Sequence, residues 1–405
     1  KATCLVRRDG GRASRALGLG GTFAEERPAP GVAAFSIRGV PGLRDEDWAP
    51  PASSLRPRLL LGWPASEAAF AWGDVSAWLA ARVDPAAVPG ATVRARAREI
   101  APKAIPLGDR VAALASWVQR LPYVSIQAGI GRGGGFQPRP ADRLLEQGYG
   151  ACKDKVTLLR ALLSAIGVES YFVAVSSSDS GSVCRDWPSP HEFDHAIIAI
   201  RAPAIPLAAA VLEHPGRGRL LLFDPTDAAT VFGELPASLQ GGFGRIAAPG
   251  EETLAALPAS PPEANRVEQR LAGDLSPRGD LTGELVERAT GSEAAGFRRQ
   301  RLTTTSGDLE RDVRAWIGEV LPGALVSTMS VGPRDAAEDL RASFAMPGFA
   351  RKAGTLAVVP LAPIGVERFL PRVAARRPVP VELPSRSLSV DVVLEVPEGA
   401  VVDEL

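Results

Sequence analysis

The segment Ala151–Ile166 constrains the fold of this chain more than any other. Val156, Leu159, Leu162, Leu163 and Ile166 recur at three- and four-residue spacing and lay one apolar stripe along a helix. Gly167 supplies its stop. Three short segments rich in β-branched and aromatic residues follow: Ser170–Val175, His195–Ile200 and Leu220–Phe223. A helix that must bury a stripe, followed by consecutive strands, predicts a core of mixed helix and strand.

The rest of the 405 residues divide around that core. At roughly 100–200 residues per domain, two to four domains are expected. Residues 1–95 read as a partial β-sandwich domain with an extended and helical connector. Ala33–Ile37 is a strand, Val40–Arg58 an extended wrapping segment, and Phe70–Val83 a helix carrying Trp72, Val75, Trp78 and Leu79. Residues 96–255 read as the central domain, with further helices over Asp109–Leu121 and Arg139–Gln147. Ala255–Pro262 holds three Pro in eight residues and reads as a linker. Residues 262–405 alternate over Val267–Leu271, Leu281–Arg288, Leu325–Val331 and Leu340–Phe344, with a further strand signal at Leu388–Leu394. This predicts a β-rich domain crossed by one helix, Asp308–Val320.

Composition removes several function classes. The 46 basic and 46 acidic residues give a net charge of +0, which does not favour a nucleic acid or an anionic membrane as partner. No apolar run approaches the ~18 residues of a membrane span. Three Cys (Cys4, Cys152 and Cys184) do not make a disulfide framework, although Cys4 and Cys184 could pair in an oxidising compartment. The chain starts at Lys1, so any targeting segment is expected upstream.

Chemistry concentrates at Cys152. A thiol at a helix start meets the positive end of the macrodipole, which favours thiolate. Lys153 and Lys155 add positive charge. A buried structural Cys is the alternative for that position taken alone. His195 starts one strand and Asp224 follows another. Their indices sum to 419, centred at 209.5, which is also the centre of the expected loop Ala202–Arg217. A hairpin therefore sets them opposite one another. Asp224 would orient His195, and His195 would take the thiol proton. His191 competes with His195, and Asp227 with Asp224. The single Asn, Asn265, lies in the linker region and disfavours a Cys-His-Asn set. Gln127 and Gln137, in the loop before the nucleophile helix, are candidate oxyanion donors beside the Cys152 N–H.

The run Tyr149-Gly150-Ala151-Cys152-Lys153-Asp154-Lys155 resembles the Y-G-x-C-K-D-K segment of bacterial multidomain transglutaminase-like proteins, a branch of the papain-like thiol enzymes. Phe193-Asp194-His195, Phe223-Asp224-Pro225-Thr226-Asp227 and Leu235–Gly241 are similar to later motifs of that group. The likeness is densest over residues 100–245. It implies an α+β, papain-like transglutaminase core (nucleophile helix packed on an antiparallel sheet) flanked by β-rich domains, a Cys152-His195-Asp224 triad, and hydrolysis or acyl transfer at amide or ester bonds. The substrate would be a protein or peptide, with an amine as an optional acceptor. No cofactor is implied, and the group's habit of export favours an extracytoplasmic location. Two positions depart from the group: Ala151 where Asp is common, and Asp194 where Asn is common. Both touch the electrostatics of the site and leave room for a catalytically silent binding or scaffold protein.

Two other motifs are set aside. Gly129–Gly134 fits G-x-G-x-x-G, but Phe136-Gln137-Pro138 follows instead of a helix. His191, His195 and Cys184 lack the spacing of a zinc site, so no metal is expected.

Overall fold

The computed structural model describes residues 2–7, 15–44, 46–63, 71–125, 135–201, 210–334, 337–360 and 377–401. It is a mixed helix and sheet protein. The chain divides into two compact units. The first holds Lys1–Ala228, Phe232–Ala259 and Arg376–Glu382; the second holds Ala229–Val231, Ser260–Ala375 and Leu383–Leu405.

The first unit opens with β1 (Ala2–Arg7), β2 (Arg15–Leu19), β3 (Ala24–Ala29), β4 (Val32–Ile37), the single-turn helix α1 (Ala52–Leu55) and β5 (Arg58–Gly62). β4 lies between β1 and β3, and β2 pairs with β5, all antiparallel. Val6, Ala33 and Phe35 give these strands a small core of their own. Helices α2 (Trp72–Val83), α3 (Ala91–Ile100), α4 (Leu107–Gln119), α5 (Ala141–Gln147) and α6 (Cys152–Ala165) follow. Then come β6 (Ser170–Val175), β7 (His195–Arg201), β8 (Val211–His214), β9 (Gly218–Phe223), β10 (Phe243–Ile246) and β11 (Ala255–Ala256).

These last strands form one antiparallel sheet in the order β11-β10-β6-β7-β9-β8. Helix α6 packs on β6 and β7 and is enclosed by α3, α4 and α5. Leu158, Leu159, Leu162 and Leu163 are fully buried. At ~1.5–3 kcal/mol per buried Leu, the middle of α6 fixes where its first turn must lie. Gly148, at φ 76, ends α5 in the left-handed region and turns the chain into α6.

The expected hairpin is corrected in register. Ile198 pairs with Phe223 and Arg201 with Leu220, an index sum of 421 rather than 419. The cause is β8, which the sequence hides inside the expected loop. β8 pairs with β9 from Val211↔Leu221 to His214↔Gly218, so β9 makes its tight hairpin with β8 and not with β7. A shift of two residues keeps every side chain on its face of the sheet. His195 and Asp224 are therefore diagonal neighbours on one face instead of direct partners.

The segment Ala255–Pro262 is corrected too. Ala255 and Ala256 pair with Gly244 and Phe243, and Leu257 is buried, so the first unit continues to Ala259.

The second unit contains β12 (Arg266–Leu275), β13 (Leu281–Ala289), α7 (Gly291–Thr303), α8 (Ser306–Val320), β14 (Leu325–Arg334), β15 (Ala337–Met346), β16 (Arg351–Ala353), β17 (Leu356–Val358) and β18 (Ser387–Glu395). Its main sheet runs β14-β15-β13-β12-β18, with β18 parallel to β12 and the other pairs antiparallel. Leu271, Leu285, Leu340 and Phe344 pack with Val313, Ile317 and Val320 of α8. Among the described residues two helices cross this unit rather than the one expected. Helix α7 has no apolar stripe and buries only Ala294 and Ala295. Polar contacts hold it instead: Arg298 and Arg301 reach the buried Glu338 at 3.6 and 3.1 Å.

Candidate active site

Cys152 occupies the first helical position of α6. Ala151, ahead of it, has no side-chain acceptor, so the usual forward half of an N-terminal cap is missing. Asp154 supplies the reverse half and accepts the Ala151 N–H at 3.2 Å and the Arg139 N–H at 2.9 Å. The Lys153 N–H, left over by the absent cap, points at the Cys152 sulfur.

Three further groups converge on that sulfur. The His195 ring and the Tyr123 hydroxyl hydrogen-bond it, and the Ala196 N–H at the start of β7 adds a fourth donor. Burial alone would push the thiol up. The His195 hydrogen bond and charge, then the Lys153 and Ala196 N–H groups, outweigh burial and lower it from its ordinary value.

His195 is held from behind. Its Nε2 lies 2.8 Å from Asp224 Oδ2, which leaves Nδ1 for the thiol. Burial would lower the imidazole, but the Asp224 and Cys152 hydrogen bonds and charges raise it to about 10. Asp224 is buried. Its other oxygen, Oδ1, accepts the Thr226 N–H at 2.8 Å and the Thr226 hydroxyl at 2.7 Å. Burial opposes its ionised form, and His195 with Thr226 overcomes that and lowers its value. Thr226 Oγ1 also lies 3.4 Å from His195 Nε2, on the carboxylate side of the ring.

Asp194 does not reach into this cluster. Its N–H donates to the Val175 carbonyl at 3.1 Å. Its carboxylate accepts from the Ser177 N–H at 2.7 Å and from the Ser178 hydroxyl at 2.6 Å. It thereby ties the start of β7 to the loop after β6, which sets the height at which His195 leaves the sheet.

The other sequence candidates are placed as follows. The Asp227 carbonyl accepts the Gln119 amide at 2.6 Å. His191 is exposed and stacks edge-on against Phe136 at 5.8 Å, on the wall of the same cleft. Gln137 lines the cleft, but its amide donates to the Arg82 carbonyl at 2.9 Å. Gln127 and the loop Gly129–Gly134 lie outside the described residues. Cys4, Cys152 and Cys184 are all free thiols. No group of three metal-ligating side chains occurs among the described residues.

Tyr123 and Thr226 were not singled out in the sequence. Thr226 was readable: an Asp followed two residues on by a hydroxyl residue favours a local Asx turn, which pins the carboxylate. Tyr123 was not. It is brought to the sulfur by a parallel bridge between Tyr123 and Gly150, in which Val124 N–H donates to the Gly150 carbonyl at 3.0 Å and Gly150 N–H to the Pro122 carbonyl at 3.2 Å.

Cys152, His195 and Tyr123 line a cleft of about 510 Å³ with Phe136, Arg139 and Phe193. That size accommodates a short peptide segment or a small amide.

No family model and no curated protein matches the chain. Two solved structures do. One is "a putative protease" from Parabacteroides distasonis, 12% identical, covering 85% of this chain and 65% of its own, with a TM-score of 0.47. The chain thus spans less than two thirds of that protein's length. The other is "a putative cysteine protease" from Cytophaga hutchinsonii, 12% identical, covering 64% of this chain and 76% of its own, with a TM-score of 0.25.

Proposed function

We propose that the chain is a transglutaminase-like thiol enzyme that opens amide or ester bonds through Cys152, His195 and Asp224. The reading rests above all on the 2.8 Å bond between His195 Nε2 and Asp224 on the sheet face that meets the sulfur. That bond turns Nδ1 toward the thiol and holds the ring charged, so the resting pair is imidazolium and thiolate.

The steps follow from this placement. The Cys152 sulfur attacks the carbonyl carbon, and the carbonyl π pair moves onto oxygen. The Tyr123 hydroxyl and the Cys152 N–H are the donors for that oxyanion, rather than Gln137, whose amide is engaged by the Arg82 carbonyl. As the tetrahedral species collapses, the His195 Nδ1 proton passes to the leaving amine or alcohol, leaving a thioester. Water then attacks the thioester while His195 accepts its proton. The C–S bond breaks and the acid departs. An amine in place of water would give acyl transfer by the same steps. The substrate is a protein or peptide, and hydrolysis is the primary reaction because water always has access to an open cleft.

The test is intact-mass analysis after mixing with an activated ester such as p-nitrophenyl acetate. The expected result is one acetyl group on Cys152, discharged by water and faster by added amine, and absent in Cys152→Ala and His195→Ala. A chain whose Cys152 neither acylates nor reacts with iodoacetamide at pH 6 faster than Cys184 is not this enzyme. At that pH an ordinary thiol is well under ~1% ionised.

A further inference from the structure

Lys155 is charged, almost wholly buried at 1% exposure, and takes no part in the steps above. It lies one helical turn beyond Cys152, on the same side of α6. Its Nζ donates to the Gln119 carbonyl at 3.0 Å and to the Leu121 carbonyl at 2.9 Å. Gln119 is the last residue of α4, whose end carbonyls run out of helical partners and carry partial negative charge, and Leu121 lies two residues beyond it. Two residues after Leu121 comes Tyr123, whose hydroxyl reaches the Cys152 sulfur.

We propose that Lys155 is a positioning residue for the oxyanion donor: its ammonium clamps the end of α4 so that the Tyr123 hydroxyl is delivered to Cys152. The clamp and the nucleophile stand on one helix, so the distance between sulfur and hydroxyl is set within a single rigid element and the short stretch Gln119–Tyr123. The Gly150 bridge fixes the backbone of Tyr123 from the other side. With both anchors in place, an exposed tyrosine, half of whose surface faces solvent, is still held to one position.

The burial of Lys155 speaks for a role beyond packing. Burial draws its value down to about 8, and the charge of Asp224 only partly offsets this. A methionine of similar length would fill the same space without a charge to desolvate. The ammonium does what an apolar side chain cannot: it binds two carbonyls at once and fixes the turn between them.

The inference deepens the thiol-enzyme reading, but its test needs no turnover. The rate of iodoacetamide alkylation of Cys152 is followed against pH in the full chain, in Tyr123→Phe, in Lys155→Met and in the double variant. Loss of one hydrogen bond to a thiolate should raise the midpoint in Tyr123→Phe by about one pH unit. Lys155→Met is expected to raise it by a similar amount, and the double variant no further than either single one. An unchanged midpoint in Lys155→Met overturns the proposal. So does full additivity, because a through-space charge effect of Lys155 on the sulfur would add to the loss of Tyr123. Lys155→Gln, which keeps a donor and drops the charge, is judged by the same two criteria should the methionine variant be unfolded by circular dichroism. A chain that gives the expected midpoints yet acylates with no ester would sink the enzyme reading and leave the clamp intact.

Discussion

Removing the sulfur by Cys152→Ala should change how stability depends on pH, and the change can be worked out from the site. In the folded chain His195 holds its proton up to about 10, while the Cys152 thiol is lowered. Unfolded, the two return to ~6.5 and ~8.5. From the lowered thiol value up to about 8.5, the folded pair binds one proton, on the imidazole. From ~6.5 to ~8.5 the unfolded pair also binds one, on the thiol. The two counts match between pH 7 and about 8, so the pair adds little slope there. Without the sulfur the unfolded chain holds no proton in that window, while the hydrogen bond and charge of Asp224 still raise His195 when folded. The sign is then fixed. A raised imidazole contributes stability that is complete below ~6.5 and declines as pH climbs toward the folded value, at about 1.36 kcal/mol per unit. Between pH 7.0 and 8.5 the alanine variant should lose up to about 2 kcal/mol relative to the parent, less by whatever the sulfur itself contributes to raising His195. Lys155, drawn down to about 8 by burial, is present in both proteins and largely cancels in the difference. Urea unfolding of both chains at pH 7.0, 7.75 and 8.5 measures it. A stability difference that stays constant across those three pH values refutes the claim that Asp224 raises His195 in the folded chain.

Two further outcomes test the local structure. Asp154→Ala removes the acceptor of the Ala151 and Arg139 N–H groups, and should cost about 1–2 kcal/mol in thermal or urea unfolding while slowing Cys152 alkylation, because the first turn of α6 frays. Gly291→Ala should destabilise the second unit by more than about 1 kcal/mol, since Gly291 sits at φ 57 and an added Cβ would meet the Ala264 carbonyl and the Asn265 side chain; tryptophan fluorescence of Trp316 during unfolding reads it, and an unchanged midpoint would be incompatible with this backbone.

Elements with a strong period were legible in the sequence, and those held by polar or backbone contacts were not. Helix α6 declares itself because Val156, Leu159, Leu162 and Leu163 all face apolar neighbours. Strands β6, β7 and β9 do so because both their faces are covered, which makes them short apolar runs. Helix α7 stays hidden because its partner is a carboxylate, Glu338, and a stripe of arginines does not look like a buried face. β8 stays hidden because it is an edge strand of four residues with a half-exposed pattern.

The same distinction runs through the site. His195 and Asp224 could be brought together by counting along strands, even with the register wrong by two, because side-chain facing has a period of two and survives an even slip. Tyr123 could not be found that way. Its approach to Cys152 depends on a single parallel bridge between two segments of irregular backbone and on an ammonium buried under them. Neither leaves a periodic trace. A side chain placed by strand periodicity tolerates an error of two residues; one placed by a bridge and a clamp tolerates none. The oxyanion donor is therefore the part of such a site most exposed to single substitutions at a distance. On the proposed clamp, a change at Lys155 that spares sulfur, imidazole and carboxylate would still be felt at Cys152.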